Sequence, residues 1–149
     1  MSLSASAIRQ RAQAAIEALY TTQTPWKHSY QISDSFPADP QKHGHLAFCV
    51  DLPLSSYTGQ DMSPKRRPDG VWMEEALRVR FLFRLQVDNQ VASYDLALDK
   101  EEELRRAVLG ASQLGGVHWL LQLARRTVTA SGEFFLCDHQ YLVKYLQNI

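Results

Sequence analysis

One stretch constrains the chain more than any other. Val71, Met73, Leu77, Val79, Phe81, Phe83, Leu85 and Val87 all fall on odd positions. Arg78, Arg80, Arg84 and Gln86 fall on even ones. Strict alternation is the period of an extended strand with one face buried. Typical strands are far shorter than this segment. Glu75 interrupts the apolar row, so a bend or bulge is expected near Glu74–Glu75, or a beginning that projects from the body. A strand of this kind needs other elements to cover its apolar side, and the flanking sequence supplies them.

Ile8, Ala12, Ile16 and Leu19 recur at helical spacing behind Ser4 and Ser6, either of which can cap a helix ending near Tyr20. Trp26, His28, Tyr30 and Ile32 alternate with polar residues, as do Leu46, Phe48, Val50 and Leu52. Each set reads as a strand. Residues 34–44 carry Pro37 and Pro40 and read as a loop. Residues 54–70 lack periodicity and form a long mobile loop in this reading. After the central strand, Asp88-Asn89 turns the chain and caps a second helix. Its stripe is Tyr94, Ala97, Leu98, Leu104 and Val108, and Gly110 follows as a stop. Gly115-Gly116 restarts the chain. Val117, Trp119, Leu121 and Leu123 alternate toward Val128, and Ser131-Gly132 turns into residues 133–136 and 141–146. These read as two strands or one interrupted strand, with Asp138 in a turn between them. The fold class is α+β: a mostly antiparallel sheet covered by two amphipathic helices, in the order α-β-β-β-α-β-β, as a single domain over residues 1–149.

Composition limits the function classes. At 149 residues the chain suits one domain with a core of its own. Sixteen basic and sixteen acidic residues cancel, which removes a whole-surface footprint for nucleic acid. No apolar run approaches the ~20 residues of a membrane span, and the N-terminus lacks the apolar core of a signal peptide. Cys49 and Cys137 are expected to be reduced.

His43, His45, Cys49 and Asp51 come nearest to a metal set, but Gly44 breaks the strand that would align them. They read as ordinary loop and strand residues, and no metal or cofactor is expected. Asp138-His139 beside Cys137 suggests a nucleophile and base, yet neighbouring strand residues point to opposite faces. Glu74, Glu75, Asp51 and Arg78 read as a solvated strand face. No catalytic residue is assigned. The charged features that remain are the run Lys65-Arg66-Arg67 and the even-numbered arginines Arg78, Arg80 and Arg84. Together they form a candidate interaction surface for a polar or acidic partner.

A resemblance rests on the order of several segments. A helix precedes "HLAFCVDLP"; a long loop ends in "RRPDG"; the strand "EEALRVRFLFRLQ" follows; then "VDNQVASYDLALDKEEELRRAVLG" and a closing "LVKYLQ". From Leu46 onward the chain resembles the tail terminator proteins of long-tailed phages and phage-derived tail machines. The resemblance implies a non-enzymatic virion structural protein that forms a ring, a hexamer in that family. Such a ring caps the tail tube, meets the head-tail connector and lets DNA pass through its lumen. It implies assembly in the host cytoplasm, then residence in the tail particle, and no membrane. Lys65, Arg66 and Arg67 would lie on a projecting loop. The basic strand face and the acidic run Asp99 to Glu103 are expected to meet across a ring interface. Two other readings compete. One is a small α+β binding module that contacts nucleic acid or an acidic protein through the basic loop and strand face. The other is a metal-dependent hydrolase using His43, His45 and Asp51.

Overall fold

A computed structural model describes residues 4–29, 36, 44–52, 66–67, 70–111 and 119–147, with residues 66–67, 70–73, 119–122, 131 and 146–147 as backbone only. Helix α1 (Ala5–Glu17) starts where the sequence places a cap. The Ser4 hydroxyl accepts from the Ala7 N–H at 3.1 Å and satisfies a donor with no partner inside the helix. Ile8, Ala12 and Ile16 form its buried stripe.

Strand β1 (Lys27–His28) and strand β2 (Ala47–Asp51) follow. The alternation from Trp26 to Ile32 therefore yields a two-residue strand, with residues 30–32 outside the described set. β2 is buried at all five positions. Its even residues Phe48 and Val50 join the main core, while Ala47 and Cys49 pack with Phe36 on the other face. Leu46, just before β2, takes a φ of 62°. This left-handed conformation is uncommon for a bulky residue. Its N–H donates to the Leu82 carbonyl at 2.8 Å, which holds it there.

Strand β3 (Arg66–Arg67) pairs with the first two residues of strand β4 (Gly70–Arg84). Arg66, Arg67 and Gly70 are thus in strands, and the rest of the expected 54–70 loop lies outside the described residues. A 3-10 turn at Val87–Asn89 leads into helix α2 (Gln90–Ala111). Asn89 Oδ1 accepts from the Ala92 N–H at 3.4 Å. The helix runs through Gly110 to Ala111, so Gly110 is not the stop the sequence suggests. Strand β5 (Trp119–Ser131) and strand β6 (Phe134–Gln147) close the chain as a hairpin. Gly132, with φ 59°, takes the first position of its two-residue turn, where a positive φ favours glycine.

The sheet runs β1-β2-β4-β6-β5, with the short β3 also on β4. β1 and β2 are parallel, and the other pairings are antiparallel. β4 and β6 pair without interruption from Val71 opposite Gln147 to Arg84 opposite Phe134. The bulge expected near Glu74–Glu75 is absent. Glu75 keeps its place in the odd row: burial raises its carboxyl above the ordinary range, which favours the neutral acid, and the Tyr145 hydroxyl bonds it, although Oε2 is buried without a partner. β6 is likewise one strand, and Asp138 lies inside it rather than in a turn.

The irregularity sits on β5. Leu123 faces Tyr141, but Arg125 faces Gln140 and Arg126 faces His139. Ala124 is the extra residue. It moves the even positions Arg126, Val128 and Ala130 to the face that Leu123 occupied before it.

Both helices lie on the odd face of β4 and β6. Ile8, Ala12 and Ile16 of α1 and Ala97, Leu104 and Val108 of α2 share one cluster with Phe48, Val79, Phe81, Phe135, Tyr141 and Val143. Phe81 stands at its centre, with ring centroids 5.3 Å from Trp26 and 5.9 Å from Phe135. Phe81→Ala is expected to cost about 3–5 kcal/mol, because close-packed aromatic neighbours cannot collapse into the space. Urea denaturation checks this; a loss below about 1 kcal/mol would contradict the assigned core.

Candidate functional site

Two buried ionic clusters lie on opposite faces of the sheet. On the helix face, α2 places Glu101 one turn from Ala97 and from Leu104, and so within its buried stripe. The Glu101 residue is 2% exposed. A buried carboxylate needs charged and hydrogen-bonded partners. Arg126 supplies them: its Nε donates to Oε1, and its Nη2 donates to Oε2 at 2.7 Å. The guanidinium crosses from the rim, with its side chain 43% exposed. His139, fully buried on β6, sets Nε2 3.1 Å from Glu101 Oε1 and Nδ1 3.0 Å from the Tyr141 hydroxyl. Cys137 lies two residues before His139 on the same face.

The electrostatics follow. Burial alone would raise Glu101, but the hydrogen bonds from Arg126 and His139 outweigh it and hold the carboxyl below its ordinary range. Burial lowers His139, which is therefore neutral at pH 7. Burial pushes up the Cys137 thiol and the Tyr141 hydroxyl, so both stay protonated. The ligand atoms of Glu101, Cys137 and His139 lie within 4.8 Å of one another. A metal ion there would compete with Arg126 and His139 for the Glu101 oxygens and remove the thiol proton. As arranged, the cluster is a pin between α2 and the β5–β6 hairpin.

The second cluster is on the outer face. Asp51 on β2 lies opposite Arg78 on β4. Arg78 bonds it twice, Nε to Oδ1 at 3.0 Å and Nη2 to Oδ2 at 2.5 Å. Arg80 reaches the same carboxylate at 3.5 Å and donates to the Phe36 carbonyl at 3.2 Å. Its guanidinium also lies 5.5 Å from the Phe36 ring centroid.

The expected interaction residues therefore separate. Arg78 and Arg80 are not solvated: their side chains are 12% and 5% exposed, with Asp51 against both and Phe36 against Arg80. Arg84 is exposed, with its guanidinium 5.6 Å from the Phe134 ring. Arg66 and Arg67 lie on β3, and Lys65 is outside the described residues. Glu101 of the acidic run points inward, so that run cannot act whole as a partner for a basic face. Charge reversal at Arg80 would act through the fold, which leaves Arg84 as the informative position of that set.

His43 is outside the described residues. His45 instead accepts the Arg84 N–H at Nδ1 (3.1 Å) and meets the Phe83 ring edge-on at 4.5 Å. Cys49 and Cys137 are both free and buried, and they occupy different clusters. Glu74 stands 3.9 Å from Lys144, apart from Asp51. Among the described residues, no helix is long and apolar enough to cross a membrane.

Nothing in the sequence pattern joins Glu101, Arg126 and Tyr141 as a group, since they lie on three different elements. One signal was present: Glu101 falls at the spacing of the apolar stripe Ala97, Leu104 and Val108.

A double-mutant cycle of Arg126→Met and Glu101→Gln is expected to give a coupling of about 1–3 kcal/mol, with Arg126→Met the costlier single change because it strands a buried charge. Additive values would contradict the pin. The pH dependence has a defined sign. His139 binds its proton less readily folded than unfolded, so its share of stability is complete above its ordinary value of 6.5 and falls as pH drops through it. His28 and His45, also lowered by burial, add to that decline. Glu101 adds a second decline below 4.5. Urea midpoints across this range measure both, and stability rising toward acid would contradict them. Comparison of the chain with protein-family models and with curated proteins found no match in either.

Proposed function

We propose that this chain is a structural assembly protein: a ring-forming tail terminator that caps a tail tube and joins it to a head-tail connector. In this reading the ring is a hexamer of one chain type. It assembles in the host cytoplasm, stays in the tail particle and passes DNA through its lumen without chemistry on it.

The observation that supports the reading is a pair of unlike apolar surfaces on opposite sides of the fold. On the helix side, Val87 and Val91 are 64% and 77% exposed. They stand beside a groove of about 320 Å³ between the start of α2 and the β5–β6 turn, lined by Leu85, Tyr94 and Ala130. On the outer sheet face Leu142 is 43% exposed, with Phe134 and Leu136 half-buried on the same face of β6. Exposed apolar patches mark contact surfaces. Two different patches per subunit are what a closed ring needs, since each interface joins one surface to the other.

The test uses the full chain. Light scattering is expected to give a species of six subunits. Val91→Glu and Leu142→Glu each change an exposed residue, so each should stay folded and become monomeric. Mixing the two variants should give dimers, because one intact interface remains between them. A wild-type monomer that stays monomeric with tail tube present would contradict the reading, as would a mixture that does not pair.

A further inference from the structure

The sheet is open at β5. Among the described residues β5 pairs with β6 alone and ends the strand order. It spans 13 residues, whereas β1 and β3, at the other side of the sheet, have two residues each. In an antiparallel ladder every second residue of an end strand turns its N–H and C=O away from the neighbouring strand. Such a row is a template for one more strand. Ala124, Arg125, Arg126, Thr127, Thr129 and Ala130 are exposed and Val128 is half-buried. This part of β5 is therefore accessible along its edge.

Proteins blunt open edges with bulges, charge or proline. Here the bulge at Ala124 and the arginines 125 and 126 occupy only the start of the exposed stretch. Residues 127–131, Thr-Val-Thr-Ala-Ser, contain no charge and no proline, and their β-branched members suit a strand. The register sets the two faces. Arg125, opposite Gln140, stands on the outer face with Thr127 and Thr129. Val128 points to the helix side, where it packs against the main core. Arg126 is engaged by Glu101. Arg125 is bonded to no carboxylate among the described residues, Asp138 diagonally across on β6 included.

We propose that the β5 edge from Arg125 to Thr129 takes an extended, acidic segment of a partner protein as an added strand. Main-chain bonds to the edge supply the binding, and alternate side chains supply the choice of partner. A carboxylate on the outer face meets Arg125, and an apolar side chain on the inner face extends the core beside Val128. The edge strands of a second copy do not fit this requirement. Those it could offer are Lys27-His28, Arg66-Arg67 and β5 itself, and none contains a carboxylate. A nucleic-acid backbone presents phosphate acceptors and would leave the edge carbonyls without donors. The inference does not rest on the ring: Val87, Val91 and Leu142 lie off this stretch, which stops short of Ala130 in the groove.

The probe is a capped peptide of alternating Glu and Val, added to the full chain and followed by amide hydrogen exchange, which suits any subunit number. Without peptide, alternate amides of residues 125–129 are expected to exchange fast. With it they should slow roughly tenfold or more. N-methylation of one alternate set of peptide amides should abolish this protection and methylation of the other set preserve it, which is the signature of main-chain pairing. The same peptide with Lys for Glu should bind roughly tenfold more weakly or worse. Arg125→Glu should weaken the Glu peptide while thermal unfolding stays unchanged, and the Glu and Lys peptides on the wild-type chain decide the matter if that variant does not fold. The inference is overturned if the edge amides are already protected in the free chain, if protection falls elsewhere, if both methylated peptides bind equally, or if the Lys peptide binds as well. Protection that grows with protein concentration alone would make a second copy the occupant and overturn it. Equal protection by a single-stranded oligonucleotide would also overturn it.

Discussion

Everything on the helix side of this fold depends on a carboxylate with nowhere to go. Glu101 sits in the buried stripe of α2 and must be neutralised there, because an unpaired buried charge costs several kcal/mol. The answer comes from β5, the strand at the end of the sheet. Its regular pleat would send Arg126 to the outer face. The extra residue Ala124 reverses the pleat, and the guanidinium then meets both carboxylate oxygens. β-bulges commonly re-aim a side chain in this way. Here the re-aimed side chain ties a helix to the far hairpin, and His139 and Tyr141 extend the chain of bonds into the core.

The outer face solves a similar problem differently. Arg78 and Arg80 are long, charged and on a strand that β2 and β6 flank. Asp51 takes both, and Phe36 closes over Arg80 through its carbonyl and its ring. Part of the sheet is therefore covered on both faces near β2, whereas near β6 the outer face is left with Leu142 exposed. That asymmetry separates the part of the sheet that stabilises the subunit from the part available for contacts.

Much of this was legible in the residue pattern. Alternation located β4, because a strand with one buried face leaves a period-two record. Ser4 and Gly132 announced a cap and a turn through local chemistry. What was not legible depended on distant partners. Arg80 is an arginine on an even position whether it meets water or Asp51, and only the β2–β4 register decides. Glu101 stands in a run of three glutamates, which conceals that one of them keeps the apolar spacing. The bulge left a faint trace: the apolar positions change from odd at Leu123 to even at Val128. The expectation of a bulge at Glu75 arose from treating a carboxylate as unable to remain in an apolar row, whereas a carboxyl whose burial favours the neutral acid, bonded to a tyrosine, can.

The functional reading gains from this division of labour, since Glu101, Arg126 and His139 are held in mutual bonds inside the fold while Val87 and Val91 are exposed on one surface and Leu142 on another. The most direct test of the account is the cross-strand register of β5 against β6, read from backbone NOEs. The account predicts Leu123 opposite Tyr141 together with Arg126 opposite His139. An unbroken register, with Arg126 opposite Asp138, would contradict it, because the guanidinium would then lie on the outer face and Glu101 would have no cation.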